Sequence, residues 1–184
     1  MNDNELAIEK QNIISLFKQK KFNKISKISS KIRSLFEDQT DIVKIIVMSD
    51  LNVKNFINAE HLLRKALIRN NTAEFNYILG NTLKIQDKNN EAIIAYKKSI
   101  SLNNNFSEAY NNLANVQKKI EYFDDALLNY KNAIRTNENN LEAYYNLANL
   151  YKSLKNYDEA IKNYKKVIKL NTNFSDAYNN IGTI

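Results

Sequence analysis

The chain has 184 residues, 43% of them hydrophobic, and a formal net charge of +7. It contains no cysteine, proline or tryptophan and only one histidine. That composition excludes a disulfide framework, a thiolate metal site and a thiol nucleophile, and it implies no cofactor.

The N-terminus, MNDNELAIEK, is acidic and lacks the apolar core of a signal peptide. No apolar run approaches the ~20 residues of a membrane-spanning helix. The expectation is a cytoplasmic protein with no membrane contact. Residues 10–33 then carry eight Lys or Arg and no acid. Such a stretch attracts phosphates or an acidic partner, or serves as a solvated helix face. Phe17 and Phe22 are its only aromatics. That is too few for base stacking, so nucleic acid is disfavoured as a partner.

From here the chain repeats itself. FNKISKISSKIR places Ile25 and Ser29, and INAEHLLRKALI places Ala59 and Leu63, both as weak copies. NNEAIIAYKKSI places Ala92 and Tyr96, FDDALLNYKNAI places Ala126 and Tyr130, and YDEAIKNYKKVI places Ala160 and Tyr164. The strong copies are 34 residues apart. FNYILGNTLK, AYNNLANVQK and AYYNLANLYK repeat at the same spacing between them. In each, apolar or small residues fall at i, i+3, i+4 and i+7, the period of an amphipathic helix. Each unit is therefore two helices joined by a short turn. Small residues at Gly80, Ala114 and Ala148, and at Ala92, Ala126 and Ala160, let the pair approach closely. The polar links NNNF, NENN and NTNF separate the units. Asn there tolerates the left-handed conformation that ends a helix, and Asn or Ser caps the next one.

The pattern of aromatic, Leu-Gly/Ala, Tyr, Ala, Tyr and Ala resembles the tetratricopeptide repeat. Units are expected at 6–39, 40–72, 73–106, 107–140 and 141–174, the first two degenerate. A sixth begins at Ser175, a candidate cap, in FSDAYNNIGTI. Its second helix is missing, so the chain is expected to be a fragment of a longer array. Two departures from the family stand out. The usual proline after the second helix is replaced by Asn71, Asn104, Glu138 and Thr172, and the usual glycine of the inner turn by Asp87, Glu121 and Lys155. The resemblance implies an all-α, right-handed superhelical solenoid of antiparallel helix pairs, with about eleven helices and a concave groove lined by first helices.

Counting from Ser107, positions 4, 7, 8 and 11 are expected to face inward, so positions 2, 6, 9 and 13 point into the groove. Position 6 carries Asn112, Asn146 and Asn180, and position 9 carries Asn81, Asn115 and Asn149. Position 2 is acidic, with Glu74, Glu108, Glu142 and Asp176, and position 12 carries Lys84, Lys118 and Lys152. An Asn amide both donates and accepts, so a column of them can hold a peptide backbone whatever its side chains. This wording resembles the asparagine-lined repeats of O-linked N-acetylglucosamine transferases. The two-carboxylate clamp of chaperone-binding repeats is disfavoured, because Tyr77, Asn111 and Tyr145 stand where cations are needed.

No catalytic constellation is legible. His61 reads as a packed or surface residue. The carboxylate pairs Asp124/Asp125 and Asp158/Glu159 read as charges at helix N-termini. The chain itself is expected to be no enzyme. Two functions fit: a scaffold that binds a peptide or protein segment in its groove, or the N-terminal recruiting arm of a larger glycosyltransferase or sulfotransferase.

Overall fold

The computed structural model describes residues 3–28 and 30–184. The described residues form twelve helices and no strand. Two compact units meet in sequence between Lys88 and Asn89. The first holds α1 (Asp3–Lys18), α2 (Phe22–Ser26), α3 (Ser30–Ser34), α4 (Thr40–Asn52), α5 (Phe56–Arg69) and α6 (Ala73–Ile85). The second holds α7 (Asn89–Leu102), α8 (Ser107–Lys119), α9 (Phe123–Thr136), α10 (Leu141–Ser153), α11 (Tyr157–Leu170) and α12 (Ser175–Gly182).

In the second unit α8 packs between α7 and α9, and α10 between α9 and α11. Ala92, Ala114, Ala126, Ala148 and Ala160 are fully buried, as close helix approach requires. Tyr96, Tyr130 and Tyr164 fill the core beside them. The inward face differs from the expected one. Position 4 is only half-buried at Tyr110 and Tyr144, and Tyr178 is 50% exposed. Positions 3 and 10 are buried instead, at Ala109, Ala143 and Ala177 and at Val116 and Leu150. A first helix squeezed between two second helices buries two flanks, so its apolar arc is wider than that of a helix with one partner.

The inner turns share one construction. Lys20, Lys54, Asp87, Glu121 and Lys155 have positive φ, between 55° and 64°. Each is the left-handed residue of a Schellman motif. At Glu121, its own N–H donates to the Lys118 carbonyl (3.1 Å) and the Tyr122 N–H to that of Gln117 (2.8 Å). The same two bonds recur at the other four turns. The register thus extends to Lys20 and Lys54, in the part of the chain where the sequence repeat is weak.

The links between units work differently from expectation. Asn137 and Asn171 are extended, with φ of −148° and −144°, not left-handed. Their side chains, and that of Asn103, instead accept the N–H two residues on, at 3.0–3.1 Å. These Asx turns stand where the family places its proline. Asn140, Asn156 and Thr72 cap the following helices. Ser175 does not cap. It is the first residue of α12, after Phe174, which makes no side-chain cap bond.

The count of twelve helices exceeds eleven because the second helix of the first pair is broken into α2 and α3. Ser29, expected at the repeated second-helix position, lies outside the described residues. Across the break Arg33 donates to the carbonyls of Ser26 (2.6 Å) and Ile28 (3.0 Å). Arg33 is in turn paired with the fully buried Asp50 on α4, which also accepts from the Ser26 hydroxyl at 2.7 Å. The buried pair supplies the polar partners that a continuous helix would have provided internally.

Candidate functional site: the first-helix face

α8, α10 and α12 present their polar strips in the second unit, and five of the six expected asparagines lie there. Asn112, Asn115, Asn146, Asn149 and Asn180 are all half-buried. Asn81 lies on α6, in the first unit, and is also half-buried.

The core sets the orientation of position 9. The buried Tyr130 hydroxyl donates to Asn115 Oδ1 at 2.6 Å, and the Tyr164 hydroxyl to Asn149 Oδ1 at 2.6 Å. Burial pushes both phenols up, that of Tyr164 to about 12 with a further contribution from Tyr145. Both hydroxyls therefore remain donors. Each Asn has its oxygen engaged and its Nδ2 left over, with no acceptor among the described residues. Position 9 is thus a pre-oriented pair of N–H donors.

Position 6 is oriented along the array. Asn146 Nδ2 donates to Asn111 Oδ1 on the preceding first helix at 3.1 Å, and Asn180 Nδ2 to the Tyr145 hydroxyl at 3.3 Å. Asn146 keeps its Oδ1 as an acceptor. Asn180 Oδ1 takes a bond from Lys152 at 3.0 Å. Donors at position 9 and an acceptor at Asn146 match the alternating C=O and N–H groups of an extended chain.

Position 5, read in the sequence only as lacking the cations of a carboxylate clamp, has a structural part to play. Asn111 is 3% exposed and takes the position 6 bond, and Tyr145 does the same while packing on Phe174 at 5.0 Å. In the first unit Lys10 and Lys44 occupy position 5 and pair with Asp41 and Glu74 at position 2 of the next first helix. Within each compact unit, position 5 therefore joins successive repeats. The signal was present in the polar residues 34 apart, but it separates from the groove only once the helix neighbours are known. Charge is graded along the strip. Glu108, Glu142 and Asp176 are exposed at its N-terminal end, and Lys118 and Lys152 lie at its C-terminal end.

Models of the tetratricopeptide repeat match residues 107–140 and 141–174, and a further repeat model matches 80–120. The chain carries tetratricopeptide repeats. No curated protein matches it. Solved structures of tetratricopeptide-repeat proteins superpose over most of its length. MamA aligns at a TM-score of 0.80 with 21% identity, covering 94% of this chain and 96% of its own. MamA from Desulfovibrio magneticus RS-1 aligns at 0.83 with 12% identity, covering 95% and 98%. YrrB, a TPR protein with an unusual peptide-binding site, aligns at 0.74 with 17% identity, covering 91% and 87%. These likenesses establish the tetratricopeptide-repeat fold. None bears on the transferase-like wording of the asparagines.

Proposed function

We infer that this chain is a binding scaffold that holds an extended protein segment along the first-helix face of α8, α10 and α12. The carrying observation is the locked amides of Asn115 and Asn149, whose oxygens are taken by buried tyrosines and whose N–H groups have no acceptor among the described residues. They take backbone carbonyls of the segment, and Asn146 Oδ1 takes an N–H. Recognition is then largely independent of side-chain identity, with each backbone bond contributing about 0.5–1.5 kcal/mol. YrrB is described by its peptide-binding site, and the first repeat domain of Spaghetti (RPAP3) was solved with the HSP90 peptide SRMEEVD, which supports a peptide as the ligand class. The reading is the same whether the chain acts alone or recruits substrate for an enzyme.

The test is capture from a pool of random-sequence peptides by the wild-type chain and by Asn115→Asp with Asn149→Asp. Aspartate keeps the acceptor for each tyrosine but removes the donors. The double variant should fold normally and lose about tenfold or more in capture, from two lost bonds. Equal capture by both proteins would sink the proposal.

A further inference from the structure

The first unit carries a charged surface that the groove does not use. Lys18, Lys20, Lys21, Lys24, Lys27 and Lys31 are all exposed, and no acid occurs between Glu9 and Glu37. None of the six has a side-chain partner among the described residues. Elsewhere in this unit Lys54 alone also lacks a side-chain partner among the described residues, and the other lysines are engaged. Lys10 pairs with Asp41, Lys44 with Glu74, Lys65 with Glu37 and Lys88 with Glu60. The unpaired lysines therefore stand apart from the unit's own pattern of charge.

Three of them surround a cleft. Lys20, Lys21 and Lys24 line a cavity of 390 Å³ together with Phe22 and, from the next inner turn, Asn52 and Val53. Both turns are fixed by Schellman bonds, with Lys20 and the exposed Lys54 as their left-handed residues. The charges are thus held on a set backbone, and less ordering entropy is lost on binding.

We propose that this cleft is a second binding surface, for an acidic protein segment rich in Asp and Glu. Its size falls in the range of about 300–1,000 Å³ typical of ligand sites, which suits a few side chains and not a duplex. Base recognition is poorly served. Arg33 is committed to Asp50, so it offers no guanidinium fork, and Phe22 is the one aromatic ring lining the cleft, too few for successive base stacking. Lysine ammonium groups around Phe22 and Val53 instead match carboxylates interspersed with an apolar residue.

The experiment is fluorescence anisotropy on the full chain with a labelled oligoglutamate peptide and, separately, a labelled DNA duplex. It is run at about 50 mM salt, where exposed charges are weakly screened. Lys20→Ala, Lys21→Ala and Lys24→Ala are combined in one variant. Lys97→Ala, Lys98→Ala and Lys165→Ala, at exposed positions of α7 and α11, form a control that removes the same charge. Oligoglutamate should bind the wild type, and the cleft variant should weaken it about tenfold, from three exposed charge contacts. The control and the Asn115→Asp, Asn149→Asp variant should leave it within about twofold, since they lie outside the cleft. Absence of oligoglutamate binding, or an equal loss in the control, overturns the proposal. Tighter binding of the duplex overturns it in favour of nucleic acid. Circular dichroism of each variant confirms that only surface charge has changed.

Discussion

Replacing Glu121 by glycine should stabilise this protein. Glu121 holds φ of 64° at the inner turn between α8 and α9. A non-glycine residue in that region costs about 1–2 kcal/mol. Glycine removes that strain but loses about 0.5–1 kcal/mol of extra backbone entropy on folding. The net gain is about 0.5–1 kcal/mol, because the turn's bonds, Glu121 N–H to Lys118 and Tyr122 N–H to Gln117, are made by the backbone and persist. Lys155 holds φ of 60° in the equivalent turn, so Lys155→Gly should match it. For a chain of this length each gain raises the melting midpoint by roughly 1–4 °C. Lys165→Gly, in the exposed interior of α11, is the control and should lose about 0.7 kcal/mol. The assay is denaturant unfolding followed by circular dichroism. A fall in midpoint for Glu121→Gly comparable to that of Lys165→Gly would refute the strain argument.

Other consequences follow from the same structure. Asp50→Ala strands the buried Arg33 and should cost about 3–5 kcal/mol, while pairing it with Arg33→Met should recover part of the loss, measured as a double-mutant cycle. Tyr164→Phe removes the donor to Asn149 and should cost about 1 kcal/mol in unfolding free energy. Stability should be flat through neutral pH and fall as pH rises from 10 toward 12. Tyr164 stays neutral in the fold up to about 12, whereas the unfolded phenol ionises near 10.0, so the unfolded state releases its proton first. A melting midpoint that rises across that window would contradict the burial of this hydroxyl.

The paired helices were legible because the 34-residue period repeats both the alanines that allow close approach and the tyrosines that fill the core. The break between α2 and α3 was not legible. Beside it Arg33 meets Asp50 from the next helix pair, a contact that no local pattern encodes. The link asparagines were placed correctly, but their geometry was not. Asn favours both left-handed backbone and Asx turns, and only the observed extended φ of Asn137 and Asn171 separates the two. Inner-turn residues held the reverse lesson. Lys and Glu have no intrinsic preference for positive φ and Asp only a modest one, yet all five inner-turn residues, Lys20, Lys54, Asp87, Glu121 and Lys155, adopt it. At the candidate site, helix phase exposed the asparagine columns. Which amide atom is left without a partner depended on tyrosine hydroxyls fifteen residues further along the chain.

The side-chain amide protons of Asn115 and Asn149 report on whether the first-helix face holds the peptide. In a nitrogen-15 correlation spectrum of the chain, titrated with a peptide recovered from the random pool, these two NH₂ pairs should shift downfield as they take backbone carbonyls, and the indifferent amides of the link residues Asn103 and Asn137 should stay put. Peptide binding that leaves the Asn115 and Asn149 amides unmoved would contradict the assignment of the first-helix face as the binding surface.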